Sequence, residues 1–172
     1  MMNIDIQLLQ EQDAEELYQF ECKYRAFFET MVPSRGEDYY HFESFLGKHQ
    51  ELLQEQQQGI SFFYLIRNDA GQIVGRMNLV DIHPIEQVAS IGYRVGEEFT
   101  GQGVAYQALK QLIERVQEST AIQQLQAKTT INNIASQKVL EKNGFRQVVV
   151  DEEEYEANEG IRFVYYLWVR EQ

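Results

Sequence analysis

The sequence predicts an α/β fold in which one mixed β-sheet is covered by helices on both faces. Three observations predict it. The stretch from Ser90 to Ala105, SIGYRVGEEFTGQGVA, passes from a strand through a glycine-containing loop into a helix. Ile91, Tyr93 and Val95 alternate with Gly92 and Arg94, and then Val104, Ala108, Leu112 and Val116 recur every four residues. The periodic segments follow one another as strand, two helices, three strands, helix, strand, helix and two strands, an order that suits such a layered sheet. No repeat or linker interrupts the 172 residues, so residues 1–172 are expected to form a single domain.

Each element has its own signal. Asn3 to Leu9 alternates as a first strand. Asp13 is placed to cap a helix whose apolar stripe carries Leu17, Phe20, Tyr24, Phe27, Phe28 and Met31, and Pro33, Ser34 and Gly36 end it. A second helix is expected over about residues 39–57, with Phe42, Phe45, Leu46, Leu52 and Leu53 apolar and a glutamine-rich, solvated end. Ile60 to Arg67 is strand-like, Asn68-Asp69-Ala70-Gly71 is a turn, and Gln72 to Asp81 returns as a strand. His83-Pro84 turns the chain into the central strand, loop and helix. Leu125 to Thr130 is a further strand and Ile134 to Asn143 a short helix stopped by Gly144. Phe145 to Val150 and Ile161 to Val169 form the closing pair, joined by an acidic segment.

Composition narrows the function. The chain is 44% hydrophobic with ten Phe and ten Tyr, enough for a substantial core. No run approaches a membrane span and the N-terminus lacks a basic-then-apolar signal pattern, so a cytoplasmic location without membrane partners is expected. The single cysteine, Cys22, excludes an internal disulfide framework and is expected to be a small packing residue. A formal net charge of −12 argues against direct binding of nucleic acid through phosphates but suits a basic acceptor. The acids concentrate at Asp151, Glu152, Glu153, Glu154, Glu156 and Glu159, either a solvated loop or a device for drawing in such an acceptor. His41, His49 and His83 have no metal-ligand spacing and no Ser/His/Asp set is evident, so no metal is expected.

Gly101, Gln102 and Gly103 lie where the central helix opens. Unpaired backbone N–H groups and the positive end of the helix dipole suit a phosphate there. The spelling is neither a Walker loop, which needs Gly-Lys-Ser/Thr, nor a dinucleotide fingerprint, whose third glycine is replaced by Tyr106. Thr100-Gly101-Gln102-Gly103-Val104-Ala105 resembles the central motif of the GNAT superfamily of acyl-CoA N-acetyltransferases, Arg/Gln-x-x-Gly-x-Gly/Ala, with Thr100 at the opening position. Downstream, Asn133-Ile134-Ala135-Ser136 and Glu141-Lys142-Asn143-Gly144-Phe145 resemble that superfamily's second signature. The resemblance spans roughly residues 3–170. It implies a GNAT-like fold of about seven strands flanked by about four helices, and acetyl-CoA as cosubstrate.

The resemblance also implies roles. Tyr93 and Val95 on the central strand would meet the pantetheine arm, and backbone near Val95 would help polarise the acetyl carbonyl. Thr100, Gly101, Gln102, Gly103, Val104 and Ala105 would hold the pyrophosphate, largely through backbone amides. Asn133 would lie near the cofactor arm, and as an Asn before a helix it also suits an N-cap. Many relatives carry a tyrosine seven residues after this Asn to protonate the departing thiolate; here it is Leu140. Ser136 is then the candidate general acid, and a weak donor suffices for a thiol whose pKa is near 8.5. Where related ribosomal-protein acetyltransferases often have Glu, this chain has Ser90, and Asp81, Glu97 and Glu98 remain as undistinguished base candidates. An α-amine, with a pKa near 7.7–8, needs little base assistance at neutral pH.

A finer resemblance points to ribosomal-protein N-terminal alanine acetyltransferases. It rests on Arg25-Ala26-Phe27-Phe28-Glu29, Val32-Pro33-Ser34-Arg35, Tyr39-Tyr40 and Tyr155-Glu156-Ala157-Asn158-Glu159-Gly160, although Val164-Tyr165 stands where that group commonly has Asp-His. It implies the N-terminal α-amine of a basic peptide or ribosomal protein as acceptor, with Glu152, Glu153, Glu154 and Glu156 as candidate substrate-binding residues. Two alternatives stay open: a small-amine acetyltransferase for a polyamine or antibiotic, and a non-catalytic acyl-CoA sensor.

Overall fold

The polypeptide turns its sheet from antiparallel to parallel at one place, and that place decides where a ligand can enter. A computed structural model describes residues 2–149 and 162–171. The chain runs β1 (Ile4–Leu8), α1 (Ala14–Lys23), α2 (Arg25–Glu29), α3 (Phe42–Gln57), β2 (Phe62–Asn68), β3 (Ile73–His83), β4 (Val88–Val95), α4 (Val104–Ser119), β5 (Gln124–Thr130), α5 (Ile134–Lys142), β6 (Arg146–Val148) and β7 (Phe163–Val169). The described strands form one seven-stranded sheet in the order β1-β2-β3-β4-β5-β7-β6. Every neighbouring pair is antiparallel except β4 and β5, which are joined through α4 and run parallel. The α/β class, the seven strands and the helical cover match the sequence expectation.

Continuous buried runs, Phe63–Ile66 in β2 and Ile73–Met77 in β3, mark a sheet covered on both faces. Helices α1 and α3 pack against β3 and β2, while α4 packs against β1, β3 and β4. The spacing of Val104, Ala108, Leu112 and Val116 buries all four on α4, together with Leu109 and Ile113. The same helix closes the outer edge of β1: the Gln111 side chain accepts from Ile6 N (3.0 Å) and donates to Ile4 O (2.9 Å). Pairing edge groups in this way removes a template for aggregation.

The first predicted helix is broken. Its apolar stripe continues through Met31, but α1 stops at Lys23 and Tyr24 leaves helical geometry at φ −103°, ψ 12°. Tyr24 is held by tertiary contacts. Its hydroxyl donates to the Glu98 carboxylate, and its ring lies so close to Gly96 that a Cβ there would sit 2.8 Å from it. Five helices therefore replace the expected four. Asp13 occupies the N-cap position without capping α1; its carboxylate accepts from Gln10 N (2.8 Å) and pairs with Arg67 (3.1 Å). Cys22 is exposed and not a packing residue. Among the described residues no helix is long and apolar enough to cross a membrane. The acidic candidates Glu152, Glu153, Glu154 and Glu156 lie outside the described residues.

Candidate active site

Strands β4 and β5 pair only at Val88↔Gln124, Ala89↔Leu125 and Ser90↔Gln126, and beyond Ser90 they part. A cavity of about 780 Å³ fills the opening. Ile91–Val95 line one wall and Ala127–Thr130 the other, with the starts of α4 and α5 at one end and α2 and the residues after it at the other. The edge of β4 facing β5 has no strand partner over Ile91–Val95, so its N–H and C=O groups are available to an extended ligand.

At the α4 end the backbone takes a conformation suited to an anion. Gly101 and Gly103 both adopt positive φ (74° and 78°), and Gly103 is the left-handed N-cap of α4. The first intrahelical bond is Gln107 N to Gly103 O (3.1 Å), so the amides before it point outward at the positive end of the helix. Thr100, Gly101, Gly103, Val104 and Ala105 line the cavity here. Gln102 does not line it: its side chain turns back and donates to Glu98 O (3.0 Å). The Thr100 hydroxyl donates to Glu97 O (2.8 Å), which leaves backbone as the main donor there. Lys138 and Lys142 of α5 line the same cavity and add positive charge; Lys142 falls within the second signature, Lys138 within none.

In the middle lies a pair of hydroxyls. Asn133 caps α5, its side-chain oxygen accepting from Ser136 N (3.1 Å), and it also lines the cavity. The Ser136 hydroxyl is 2.8 Å from that of Tyr93, which reaches across from β4. Burial pushes the Tyr93 phenol up to about 12, against a smaller opposing pull from Ser136, so it stays protonated at neutral pH. Leu140, where many relatives carry tyrosine, is buried in the cavity wall. A phenol is thus supplied from β4 instead of α5. Periodicity placed Tyr93 only on a strand, since its partner is forty-three residues away.

At the opposite end, Phe27, Phe28, Met31 and Val32 make an apolar mouth, with Arg35, Arg76 and Arg94 beside them. Behind this wall Glu21 of α1 is fully buried and bridges Arg76 (2.7 Å) and Arg94 (3.2 Å). Burial alone would raise the Glu21 pKa, but the guanidiniums of Arg76, Arg94 and Arg35 outweigh it and hold the carboxyl below its ordinary value. Among the described residues every charged side chain lining the cavity is cationic: Arg35, Arg76, Arg94, Lys128, Lys138 and Lys142. Asp81, Glu97 and Glu98 do not line it, nor does Ser90. Glu98 is instead engaged by Lys23 (2.8 Å) and Tyr24. Glu21 and its three arginines come from four segments, so no short motif joins them.

A family model of the GNAT acetyltransferase domain matches residues 4–146. A probable N-acetyltransferase of Bacillus subtilis is 26% identical over 148 residues, covering 84% of this chain and 81% of its own. The crystal structure of a ribosomal-protein-S5-alanine acetyltransferase from Vibrio fischeri superposes with a TM-score of 0.89 at 16% identity, covering 100% of this chain and 96% of that one. A ribosomal L7/L12 alpha-N-protein acetyltransferase in complex with coenzyme A gives 0.85 at 24% identity, covering 98% and 95%.

Proposed function

The chain belongs to the GNAT acetyltransferase family and is an acetyl-CoA-dependent acetyltransferase, and from that premise we propose that its acceptor is the N-terminal α-amine of a peptide or protein, alanine of a ribosomal protein being the leading case. The observation that carries the reading is the cleft between β4 and β5. It joins a backbone anion cradle at Gly101–Ala105, an unpaired strand edge at Ile91–Val95 and the Tyr93–Ser136 hydroxyl pair. The residues fit acetyl-CoA. Left-handed glycines at a helix start, with Lys138 and Lys142 near, suit phosphates, and the strand edge suits an amide-bearing arm.

Acetyl-CoA supplies an activated acyl group with a thiolate as leaving group. The chain's residues must position it and manage two protons. Ser136 holds a hydroxyl proton in the cleft, and Tyr93, protonated and hydrogen-bonded to it, can replenish that proton. On the acceptor side no carboxylate lines the cleft among the described residues. This favours an amine that is already partly neutral, as an α-amine with a pKa near 7.7–8 is, over a lysine near 10.4. The name of the Vibrio fischeri relative, a ribosomal-protein-S5-alanine acetyltransferase, supports the alanine reading. The net charge of −12 favours capture of a basic acceptor from a distance, with Glu152, Glu153, Glu154 and Glu156 as contributors.

The test is thiol release from acetyl-CoA in the presence of alanine-, serine- and lysine-containing peptides, polyamines and aminoglycosides. Turnover with N-terminal peptides and acetylation mapped to the α-amine support the reading. Turnover confined to polyamines or aminoglycosides replaces it with small-amine transfer. Acetyl-CoA binding without turnover on any amine replaces it with a sensor.

A further inference from the structure

The charge of the α2 end of the cleft is opposite in sign to that of the whole protein. Three guanidiniums, from Arg35, Arg76 and Arg94, meet there around a single carboxylate, Glu21. The set carries two positive charges in excess of its anion. Arg94 stacks on Phe28 with its guanidinium 4.5 Å from the ring centre. Arg35 lies 4.9 Å from the Tyr39 ring centre and 3.3 Å from the Tyr39 hydroxyl. Arg76 is almost fully buried and donates to Glu21 and to the Tyr39 hydroxyl (3.2 Å). Burial and the neighbouring cations Arg35 and Arg76 together depress the Arg94 pKa despite Glu21. Arg35 is exposed, so the buried and half-buried part of the set, Arg76 and Arg94 against Glu21, carries one positive charge in excess, and such charge is costly unless something compensates it.

A second cavity, of about 70 Å³, sits behind the first and shares Arg35, Arg76 and Asn78 as walls. Its volume suits about two water molecules at roughly 30 Å³ each. Among the described residues three buried side-chain polar atoms lack a hydrogen-bond partner: Arg76 Nε, His49 Nδ1 and Asn78 Oδ1. All three residues line this chamber, and Lys48 lines it too. Unsatisfied polar atoms are expected to be rare and scattered in a native core. Arg76 Nε only donates, Asn78 Oδ1 only accepts, and His49 Nδ1 accepts in the neutral ring because Nε2 donates to Gln10 O, so this mixed chamber suits water and an anion falls to the guanidiniums that face the cleft.

We propose that the acceptor carries an anionic group, a carboxylate or a phosphate, close to its amine, and that Arg35, Arg76 and Arg94 seat it at the α2 end of the cleft. The inference rests on the acetyltransferase reading and narrows its acceptor. Guanidinium forks match both anions in two-point geometry, so either source fits the same wall. It also separates two length scales. The acidic surface acts on approach, over about 8–10 Å in physiological salt, whereas the arginines act on the docked group.

Three substrate pairs, each differing by one anion, test it: the peptides Ala-Asp-Gly-Phe and Ala-Asn-Gly-Phe, alanine and alaninamide, and phosphoethanolamine and ethanolamine. The anionic member of at least one pair is expected to have a kcat/KM about tenfold or more above its neutral twin, as for a charge-assisted hydrogen bond. The pair with the largest ratio names the source. Arg35, being exposed, can be changed without unfolding the core, and Arg35→Gln should cut that ratio several-fold. A readout free of turnover is calorimetric binding of the acetylated products in the presence of coenzyme A, where the anionic product should bind more tightly and Arg35→Gln should narrow the gap. The proposal is overturned if every pair gives ratios near one in both measurements, if Ala-Lys-Gly-Phe exceeds Ala-Asp-Gly-Phe, or if Arg35→Gln leaves the discrimination intact. Absence of turnover with retained preference in product binding would overturn the acetyl-transfer reading and leave the anion site standing.

Discussion

The two ends of the cleft are built from different materials. The α4 end is backbone: two glycines at positive φ, a helix start and its unpaired amides, all within Gly101–Ala105. The α2 end is side chain: Glu21 from α1, Arg35 from the segment after α2, Arg76 from β3 and Arg94 from β4. A backbone site tolerates many side chains but few conformations. A side-chain site tolerates conformational change but depends on every charge having its partner. The first end is expected to fail locally when a glycine is replaced, and the second to fail globally when a charge is removed.

The largest effect should come from Glu21→Gln. It leaves Arg76, buried at 5% side-chain exposure, without its anion, and breaking such a pair costs about 3–5 kcal/mol. Urea denaturation at neutral pH should show the loss. In the parent protein the folded Glu21 pKa lies below its unfolded value of 4.5, so its stabilisation is present above about pH 4.5 and lost as pH falls through the lower folded value. The variant should lack that part of the acid sensitivity. An unchanged acid limb would mean that Glu21 is not the ionised partner of the arginines.

Gly103→Glu attacks the other end. It places a negative side chain and a disfavoured left-handed backbone in the cradle, and acetyl-CoA binding should weaken by about a hundredfold. Calorimetry on the folded variant is the measurement, and unchanged affinity would remove the phosphate assignment. Ser136→Ala and Tyr93→Phe probe the middle. Because a thiolate leaves readily, the loss in kcat for Ser136→Ala should be near the low end for general acids, about tenfold to a hundredfold, with acetyl-CoA affinity little changed. Tyr93→Phe should cost less. A loss confined to binding would make both residues cofactor contacts.

The smallest effect should follow replacement of Glu152, Glu153, Glu154 and Glu156 by Gln. If the acidic segment only assists approach, the Michaelis constant for a basic peptide should rise a few-fold at low salt, and the difference should vanish as salt is added. A change that persists at high salt would place the segment in direct contact with the acceptor and shift the acceptor site away from the arginines.

The sequence by itself determined the layered α/β sheet, the succession of its elements along the chain and the glycine-containing start of α4. Those features are local. A strand period of two, a helix period near 3.6, and two glycines at a helix start are all written within short stretches. Even the capping Asn133 was legible, because capping joins residues three positions apart. The tertiary structure decided the rest. It broke the first helix at Tyr24, where Glu98 and the space beside Gly96 outweigh the apolar stripe. It set Tyr93 against Ser136 across the parting of β4 and β5. It also gathered Arg35, Arg76 and Arg94 around Glu21, giving an acidic protein a cationic pocket. Charges spread over seventy-three residues have no sequence period, and their pairing follows only from the packing of α1 on β3, which brings Glu21 within reach of Arg94 on the neighbouring β4. Net charge is a sum over the whole surface, whereas recognition depends on the few groups that folding brings within hydrogen-bond reach.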